Sequence, residues 1–515
     1  MSAGRRVPTD QNKSCRMSDK LKSKSTGRDA GALRGNPFVS VSWHARLALI
    51  VYVLLYNVFT PGLSEILYGP LSPLAGGRLL AEILYQLLLF GPILFYRSSW
   101  GWLHPLVFLV VFDLGTSLAR NTGQLLSPFF LLLREPSADV MQHRALSGWT
   151  PGSVARAKLK AKLLQSLSLI CYYSGFFLLP RPSIPSLRFP QPRHVRQKVL
   201  VFVALAGVAF LWFVQSSGGL TAHFTKVGLQ KQELIGGQGP ILVLIQVGMI
   251  ACLVWFALVP SVLYNPLFWG ITLSSIAAIF LSNGSRSSVV YSVMLFGMVW
   301  MISHRKVPYL RAFAFAIVAL VLVGGLGNLR QSSWSSSTNQ VDWTVITDLD
   351  LSRSLAAAEK EMEFRERNNG FLAVVGKVPD ETGLLWGRSY LGVLTFAVPR
   401  ALWHGKPKGA GVLNRTRNFN EPNRGGIPPG SVGEAYWNFH VPGVAIIFAL
   451  YGIFHRWLAG LLRWYPRKSA VWVIYVILLF HMSPMGIDAI EGLQQVIPAV
   501  ALLWWVGALS FAKSR

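Results

Sequence analysis

The feature that most constrains this chain is a series of apolar runs of about 20 residues, which recur from residue 45 to the C-terminus. A run of that length can cross the hydrocarbon core of a bilayer as a single helix, which satisfies its own backbone hydrogen bonds. The runs are continuous rather than alternating, which argues against a transmembrane β-barrel. Only 14% of the residues are charged, whereas a soluble chain carries about a quarter. The sequence therefore predicts an all-α, polytopic integral membrane protein.

The apolar runs predict about twelve transmembrane helices. They are 45–63, 79–96, 102–120, 163–180, 199–217, 240–259, 262–282, 287–304, 307–328, 432–455, 470–486 and 492–511. If the N-terminus lies in the cytoplasm, an even number of crossings returns the C-terminus there as well. The basic turns 181–198, 303–308 and 455–469 then all face the cytoplasm, in agreement with the positive-inside bias.

One connection does not fit this topology. Residues 134–162 are rich in Arg and Lys, yet the count of crossings places them outside. The segment 123–134 could be a short or re-entrant piece that changes the parity, or the basic stretch could lie along the lipid headgroups. The topology of 121–162 is left open at this point.

The chain divides into four predicted segments. Residues 1–40 form a basic cytoplasmic tail whose polar composition is typical of disorder. Residues 41–328 form an N-terminal transmembrane bundle, 329–431 a large external loop, and 432–515 the C-terminal transmembrane helices. A connection as long as 329–431 should contain short helices of its own. One is predicted over 350–368, where apolar residues recur at helical spacing; it is either an amphipathic helix on the bilayer surface or a solvated connecting helix.

The external loop carries an unusual concentration of positive charge. Between 386 and 431 the only acid is Glu421, and the cations are Arg388, Arg400, Lys406, Lys408, Arg415, Arg417 and Arg424. Pro399 and Pro407 fix the backbone beside two of these cations, and fixed cations bind an anion with a smaller loss of freedom. Guanidinium and ammonium groups suit phosphate oxygens. We therefore favour a pyrophosphate site over a general patch for anionic lipid. The net charge of +27 indicates binding to the membrane surface and to anionic ligands and does not indicate binding to nucleic acid.

Further polar residues lie at the predicted span boundaries. Arg286 and Arg330 could either snorkel to the membrane surface or face an anionic ligand. Glu434 begins the span after the basic stretch, where it could cap the helix or abstract a proton. Tyr436 and Asn438 could hydrogen-bond to a sugar. His481, Asp488 and Glu491 lie around a Pro/Gly break and are second-rank candidates.

Metal and redox sites are not indicated. The cysteines Cys15, Cys171 and Cys252 show no CxxC or disulfide spacing. The sequence "DLD" at 348–350 matches a metal-binding pattern of nucleotide-sugar glycosyltransferases, but it directly precedes a predicted helix, where Asp is an ordinary cap.

Together, four short motifs resemble the Wzy-type O-antigen polymerases, the oligosaccharide repeat-unit polymerases of bacteria. The motifs are Gly284-Ser285-Arg286, Gly387-Arg388-Ser389-Tyr390, Pro399-Arg400-Ala401-Leu402-Trp403 with Lys406-Pro407, and Gly433-Glu434-Ala435-Tyr436-Trp437-Asn438-Phe439. His440 stands where the family has a glycine, and His404-Gly405 also departs from the family pattern. The resemblance covers about 218–460, and residues 1–200 are similar to the family only in their hydropathy.

The resemblance implies a GT-C-like glycosyltransferase in the bacterial plasma (inner) membrane. Its donor and acceptor would be undecaprenyl-pyrophosphate-linked oligosaccharides, joined at the outer face into O-antigen or a related polysaccharide, without metal, nucleotide or other cofactor. A chain-length regulator and a flippase are possible partners, beside the membrane lipids. Glu434, Arg286 and Arg400 would be catalytic. The substrate-binding residues would be Arg330, Arg388, Tyr390, Trp403, Lys406, Lys408, Tyr436, Asn438, Asp488 and Glu491.

Two alternatives stay open. The O-antigen ligases share this architecture and donor but transfer to lipid A–core; the Lys-Pro and Gly-Glu stretches favour the polymerase. A transporter or flippase of lipid-linked sugars would also need a cationic cavity. The sequence does not distinguish retention from inversion, and it does not identify the sugars.

Overall fold

The structure is a computed structural model that describes residues 38–54, 74–120, 143–180, 182–219, 223, 238–283, 286–307, 309, 369–395, 398, 403–421, 426–483 and 489–511. The predicted helix 350–368, the predicted span 307–328 except for residues 307 and 309, and the "DLD" sequence lie outside these residues. Helices account for nearly all the regular structure in the described part. They are α1 Trp43–Val53, α2 Ala75–Leu94, α3 Pro105–Arg120, α4 Pro151–Phe177, α5 Val195–Ser216, α6 Gly239–Leu258, α7 Pro266–Asn283, α8 Arg286–His304, α9 Gly370–Lys377, α10 Leu391–Thr395, α11 Ala410–Asn418, α12 Gly430–Trp464, α13 Ser469–His481 and α14 Ala489–Val506.

Every predicted span within the described residues coincides with a helix, which confirms an all-α membrane protein. By length and composition, 5 of the described helices can cross a membrane, namely Gly76–Leu94, Val195–Ser216, Gly239–Leu258, Gly430–Trp464 and Ala489–Val506. Shorter apolar helices cover Pro266–Ser282, Ser288–His304 and Ser469–His481. The only sheet among the described residues is a two-stranded antiparallel one, in which β1 (Leu187–Arg188) pairs with β2 (Ser510–Phe511).

The buried apolar side chains form two main clusters. One surrounds α6, which is hydrophobic on all sides and packs against α5, α7, α13 and α14. The other joins α2, α3, α4, α9 and α12. A helix that is apolar all round belongs in a core, and this explains the central position of α6.

Helices α4 and α12 run side by side in the same direction. Near their starts Lys160 lies against Tyr436. Further along, the Tyr172 hydroxyl is 2.9 Å from Nδ1 of His455. The backbones approach closely at Gly175, where a Cβ would collide with the carbonyl of Ala449; small residues allow such contacts between membrane helices. The ends of α12 therefore define two ends of the bundle, called here the Gly430 end and the Trp464 end.

Candidate functional site

The site at the Gly430 end is built on a break in α12. Phe439 (φ −140°, ψ 22°) and His440 (φ 57°, ψ −150°) leave the helical conformation, and Pro442 follows. Proline cannot continue the hydrogen-bond ladder of a helix and clashes with the preceding turn. The break therefore releases backbone carbonyls at the end of the first half of α12, which holds the Gly-Glu-Ala-Tyr-Trp-Asn-Phe sequence.

The turn 385–390 docks on these released carbonyls. The amide of Leu385 donates to the carbonyl of Trp437 over 3.0 Å, and that of Trp386 donates to the carbonyl of Asn438 over 3.2 Å. Trp386 and Gly387 both have positive φ angles, of 52° and 81°, as do the central residues of a type I′ turn. Glycine is required at 387 because a Cβ there would also press on the Phe439 ring at 3.1 Å.

Docking of the turn brings Ser389 against Asn438, which is fully buried. The Asn438 side-chain amide Nδ2 donates to Oγ of Ser389 over 2.7 Å and to the backbone carbonyl of Glu434 over 2.8 Å. A carbonyl can only accept, so this second bond fixes which side of the Asn438 amide carries the nitrogen. The opposite atom, Oδ1, is buried and has no hydrogen-bond partner. Asn438 therefore offers an acceptor to a donor that the described residues do not supply.

The carboxylate of Glu434 lies close to two phenols. Burial, together with the negative charge of Glu434, raises the pKa of the Tyr390 phenol. Tyr451 also interacts electrostatically with Glu434. The Tyr390 ring stacks on Phe439 with centroids 6.4 Å apart. Tyr390 therefore stays protonated at neutral pH and keeps a hydroxyl proton to donate beside a carboxylate, which is an arrangement suited to binding and deprotonating hydroxyl groups.

Tyr436 and His440 lie on the opposite side of the first half of α12. The Tyr436 hydroxyl donates to the carbonyl of Val378 over 3.0 Å and lies 2.8 Å from Nε2 of His440. Because a phenol has one proton, His440 must donate its Nε2 proton to the Tyr436 oxygen. Lys160 places its ammonium 4.9 Å from the centroid of the Tyr436 ring. The Tyr436 hydroxyl is thus occupied, and its predicted contact with a sugar stays a prediction.

The basic segment 143–162 packs against the predicted external loop. His143 Nε2 lies 2.8 Å from the carbonyl of Asn369, and Arg144 forms an ion pair with Glu421. Lys160 Nζ donates to the carbonyl of Val375 over 3.4 Å. Burial lowers the pKa of the Lys160 ammonium, and the nearby Asp380 partly opposes this. The start of α4 therefore lies at the same end of the bundle as 369–421, in line with the count of crossings. The positive-inside bias alone would have separated this basic segment from a loop that is predicted to be external.

A buried amide network holds the loop segments together. Asn414 donates to the carbonyls of Gly370 and Ile427 over 3.1 and 3.0 Å. Asn418 donates to Oδ1 of Asn414 over 2.7 Å and accepts from the Thr382 hydroxyl over 2.8 Å. These bonds join α9, α11 and the chain entering α12, and Thr382 links them to the segment that leads into the turn 385–390.

The cations of the basic stretch differ in what they contact. Arg388 and Lys408 are exposed, and their charged groups make no hydrogen bond or ion pair with the described residues. Lys406 donates to the carbonyl of Val398 over 2.8 Å, beside Trp403, which is 42% exposed. Arg415 is bound to Glu421 over 2.8 Å and therefore has a structural partner. Among the described cations of the basic stretch, Arg388, Lys408 and Arg417 can meet an anion without giving up a partner.

The remaining predicted site residues are only partly placed. Glu491 lies in the first turn of α14, and its neighbour Ile490 approaches Gly392 of α10, so α14 begins beside the element that follows Tyr390. Arg286 begins α8, as expected from the predicted span boundary, but its side chain lies outside the described residues. Arg330, Arg400 and Asp488 lie outside them entirely.

Sequence reasoning missed several residues that the structure places at the site. Ser389 lies in the motif Gly387-Arg388-Ser389-Tyr390, so the sequence could have identified its polar side chain as a site candidate. Lys160, Asp380 and Tyr451 carry no local signal because they come from distant parts of the chain. Within the described ranges there is no group of three or more His, Cys, Asp or Glu side chains that could hold a metal ion.

Comparison with protein-family models, with curated proteins and with solved structures finds no match for this chain.

Proposed function

We propose that the protein is a membrane glycosyltransferase that polymerises undecaprenyl-pyrophosphate-linked oligosaccharide repeat units at the outer face of the plasma membrane. The growing chain on its lipid pyrophosphate is the donor, and a new lipid-linked repeat unit is the acceptor. The fold would be of the GT-C-like type, with about twelve crossings. The proposal rests on the motifs quoted above and on the way in which two of them meet in space.

The observation that carries the proposal is the docking of Arg388-Ser389-Tyr390 on the broken helix that holds Glu434 and Asn438. The two motifs are separated in sequence by the basic stretch, and nothing local requires them to touch. Their contact places a carboxylate, a phenol, a hydroxyl and an unpartnered amide oxygen in one neighbourhood, and the residue next to Ser389 in the chain is the exposed Arg388. Hydroxyl-binding groups next to a cation suit a sugar attached to a phosphate.

The transfer needs a proton acceptor and a stabilised leaving group. Glu434 takes the proton of the acceptor hydroxyl, or else positions the sugar that carries it. The hydroxyl oxygen attacks the anomeric carbon of the donor, and the bond from that carbon to the pyrophosphate oxygen breaks. The electron pair leaves with the pyrophosphate, whose charge Arg286, Arg400, Arg388 and the neighbouring lysines stabilise.

The test is to incubate the purified full-length protein in detergent or proteoliposomes with lipid-linked repeat units and to separate the products by size. A ladder that rises in steps of one repeat unit supports the polymerase. Transfer only when lipid A–core is added would identify a ligase. Movement of the lipid-linked unit across the proteoliposome membrane without any new glycosidic bond would identify a transporter.

A further inference from the structure

At the Trp464 end of the bundle, three chain segments form one surface. They are 182–198, 464–468 and 504–511, and this surface is called here the basic end surface. The amide of Leu187 donates to the Tyr465 hydroxyl over 3.0 Å, and the amide of Arg193 donates to the carbonyl of Val506 over 3.4 Å. The β1–β2 pair adds a further link. The surface is therefore a built part of the fold and is separate from the site around Glu434.

The basic end surface carries cations and no acids. Its cations are Arg188, Arg193, Arg196, Lys198, Arg467 and Lys468, and its three segments contain no Asp or Glu. Two of the cations have partners, since Lys198 donates to the carbonyl of Trp505 over 2.8 Å and Lys468 lies 5.5 Å from the centroid of the Phe189 ring. The four arginines are exposed, and their side chains make no hydrogen bond or ion pair with described residues.

Two helix N-termini add to this positive potential. Helix α5 begins at Val195 and α13 begins at Ser469, and neither has an acidic residue in its first turn. The N-terminus of a helix carries partial positive charge, which favours anions and disfavours cations. Here Arg196 and Lys468 occupy these positions instead. The folded protein thus gathers like charges that a bound anion would stabilise.

The depth of the surface indicates which anion is available. Candidate spans α5, α12 and α14 each have one end here. Trp464, Trp504 and Trp505 are 67%, 61% and 52% exposed, and exposed tryptophans at span ends are typical of the membrane–water interface. At that level the abundant anions are the phosphates of lipid headgroups.

We infer that the basic end surface binds the headgroups of anionic phospholipids, through Arg188, Arg193, Arg196 and Arg467. The inference is independent of the proposed catalytic function because it concerns the opposite end of α12. Lys198 and Lys468 hold the surface in shape through their contacts with Trp505 and Phe189. Multiple arginines with free guanidinium groups select a lipid that carries net negative charge over a zwitterionic lipid, in which the choline cation repels them.

The test uses the purified full-length protein titrated with phosphatidylglycerol or with phosphatidylcholine in the same detergent, with the bound lipid counted by native mass spectrometry. Phosphatidylglycerol should bind at least about tenfold more tightly, and the preference should weaken as salt rises. The triple variant Arg193→Gln, Arg196→Gln, Arg467→Gln should lose up to about a hundredfold in affinity for phosphatidylglycerol at low salt. Its affinity for phosphatidylcholine should not change.

The control double Arg156→Gln, Lys158→Gln removes two charges from exposed side chains at the Gly430 end, and it is compared with the double Arg193→Gln, Arg467→Gln of the basic end surface. The control should keep the preference for phosphatidylglycerol. Equal loss in both doubles would show that total charge governs binding and would overturn the inference. So would equal affinity of the wild-type protein for both lipids, or displacement of the lipid by glycerol phosphate at matched phosphate concentration. If the triple variant does not fold, the comparison of the two doubles decides the question.

Discussion

The Asn438 side-chain amide donates to the Ser389 hydroxyl over 2.7 Å, and this bond joins two sequence motifs that lie on either side of a long basic stretch. Asn438 reaches Ser389 because the break at Phe439 and His440 exposes the last carbonyls of a half-helix. The amides of Leu385 and Trp386 bind those carbonyls and bring the following residues with them. The position of Ser389 and Tyr390 beside Glu434 thus depends on the break.

Replacing both partners of this bond should reveal their coupling. Asn438→Ala should lower the free energy of unfolding by about 1–3 kcal/mol, because it leaves buried polar groups without a partner. The double variant Asn438→Ala, Ser389→Ala should be less unstable than the sum of the single variants, with a coupling energy of at least about 0.5 kcal/mol. Thermal unfolding of the purified protein measures this. Ser147→Ala, at an exposed serine of the same end, is the matched control and should have little effect; additive effects of Asn438→Ala and Ser389→Ala would argue against the bond.

Glu434→Gln should abolish polymer formation while the donor still binds. Gln keeps the shape of Glu but cannot accept a proton, and a general base contributes roughly a hundred- to ten-thousand-fold in rate. The capping role that the sequence left open is wrong, because Glu434 lies beyond the first turn of α12, which holds no acidic residue; a remaining interaction with the helix dipole would be worth at most about 0.3–1 kcal/mol. Polymer length and rate are the measurement, and Glu381→Gln is the control because Glu381 forms an exposed pair with Lys377 at 3.6 Å. Turnover within a few-fold of wild type would exclude Glu434 as the base and move attention to Asp488 and Glu491.

Loss of single cations should reduce polymerisation without preventing membrane insertion. Arg388→Ala and Lys408→Ala remove exposed, unpaired charges, and Arg286→Ala, Arg400→Ala and Lys406→Ala test the cations expected from the motifs. Loss of one donor to a developing negative charge lowers the rate on the order of a hundredfold. Arg156→Ala serves as the control at the same end of the bundle. Normal polymer from all five variants would refute a pyrophosphate site in the basic stretch.

The unusual backbone conformation of His440 can be tested separately from the role of its side chain. Its φ of 57° with ψ of −150° lies close to a region that glycine adopts with little strain and other residues disfavour by about 1–3 kcal/mol. His440→Gly and His440→Ala both remove the imidazole that donates to Tyr436. His440→Ala should therefore be less stable than His440→Gly by about 1–2 kcal/mol, measured by thermal unfolding. Equal stabilities would show that the break relaxes and does not hold position 440 in this conformation.

Cysteine labelling tests whether the Gly430 end and the Trp464 end of the bundle lie on opposite sides of the membrane. In a background without Cys15, Cys171 and Cys252, a membrane-impermeant maleimide should reach Arg156→Cys and Lys408→Cys in intact spheroplasts, but Arg193→Cys only after lysis. Arg156 and Lys408 should label together because the start of α4 packs against 369–421. Labelling of these two from opposite sides would contradict that packing, whereas labelling of both only after lysis would invert the proposed orientation.

The length of the helices was only partly predictable from hydropathy. The predicted span 163–180 is the apolar part of α4, which begins at Pro151. The preceding turns carry Arg156, Lys158, Lys160 and Lys162, so an apolar window cannot detect them. They are helical because Thr150 caps the start by accepting from the amide of Ser153, and because α9 and α12 pack against them.

The sequence by itself determined that this chain is an all-α membrane protein, because runs of apolar residues can bury their backbone in lipid only as helices. It also indicated where most described helices lie, and it singled out Glu434, Asn438 and Arg388 through their motifs. Only the tertiary structure decided that Ser389 meets Asn438, that Lys160 meets Tyr436, and that 143–162 lies beside 369–421. These contacts join residues far apart in the chain, through carbonyls released at a helix break and through buried amides. Neither local propensity nor hydropathy carries information about such pairings.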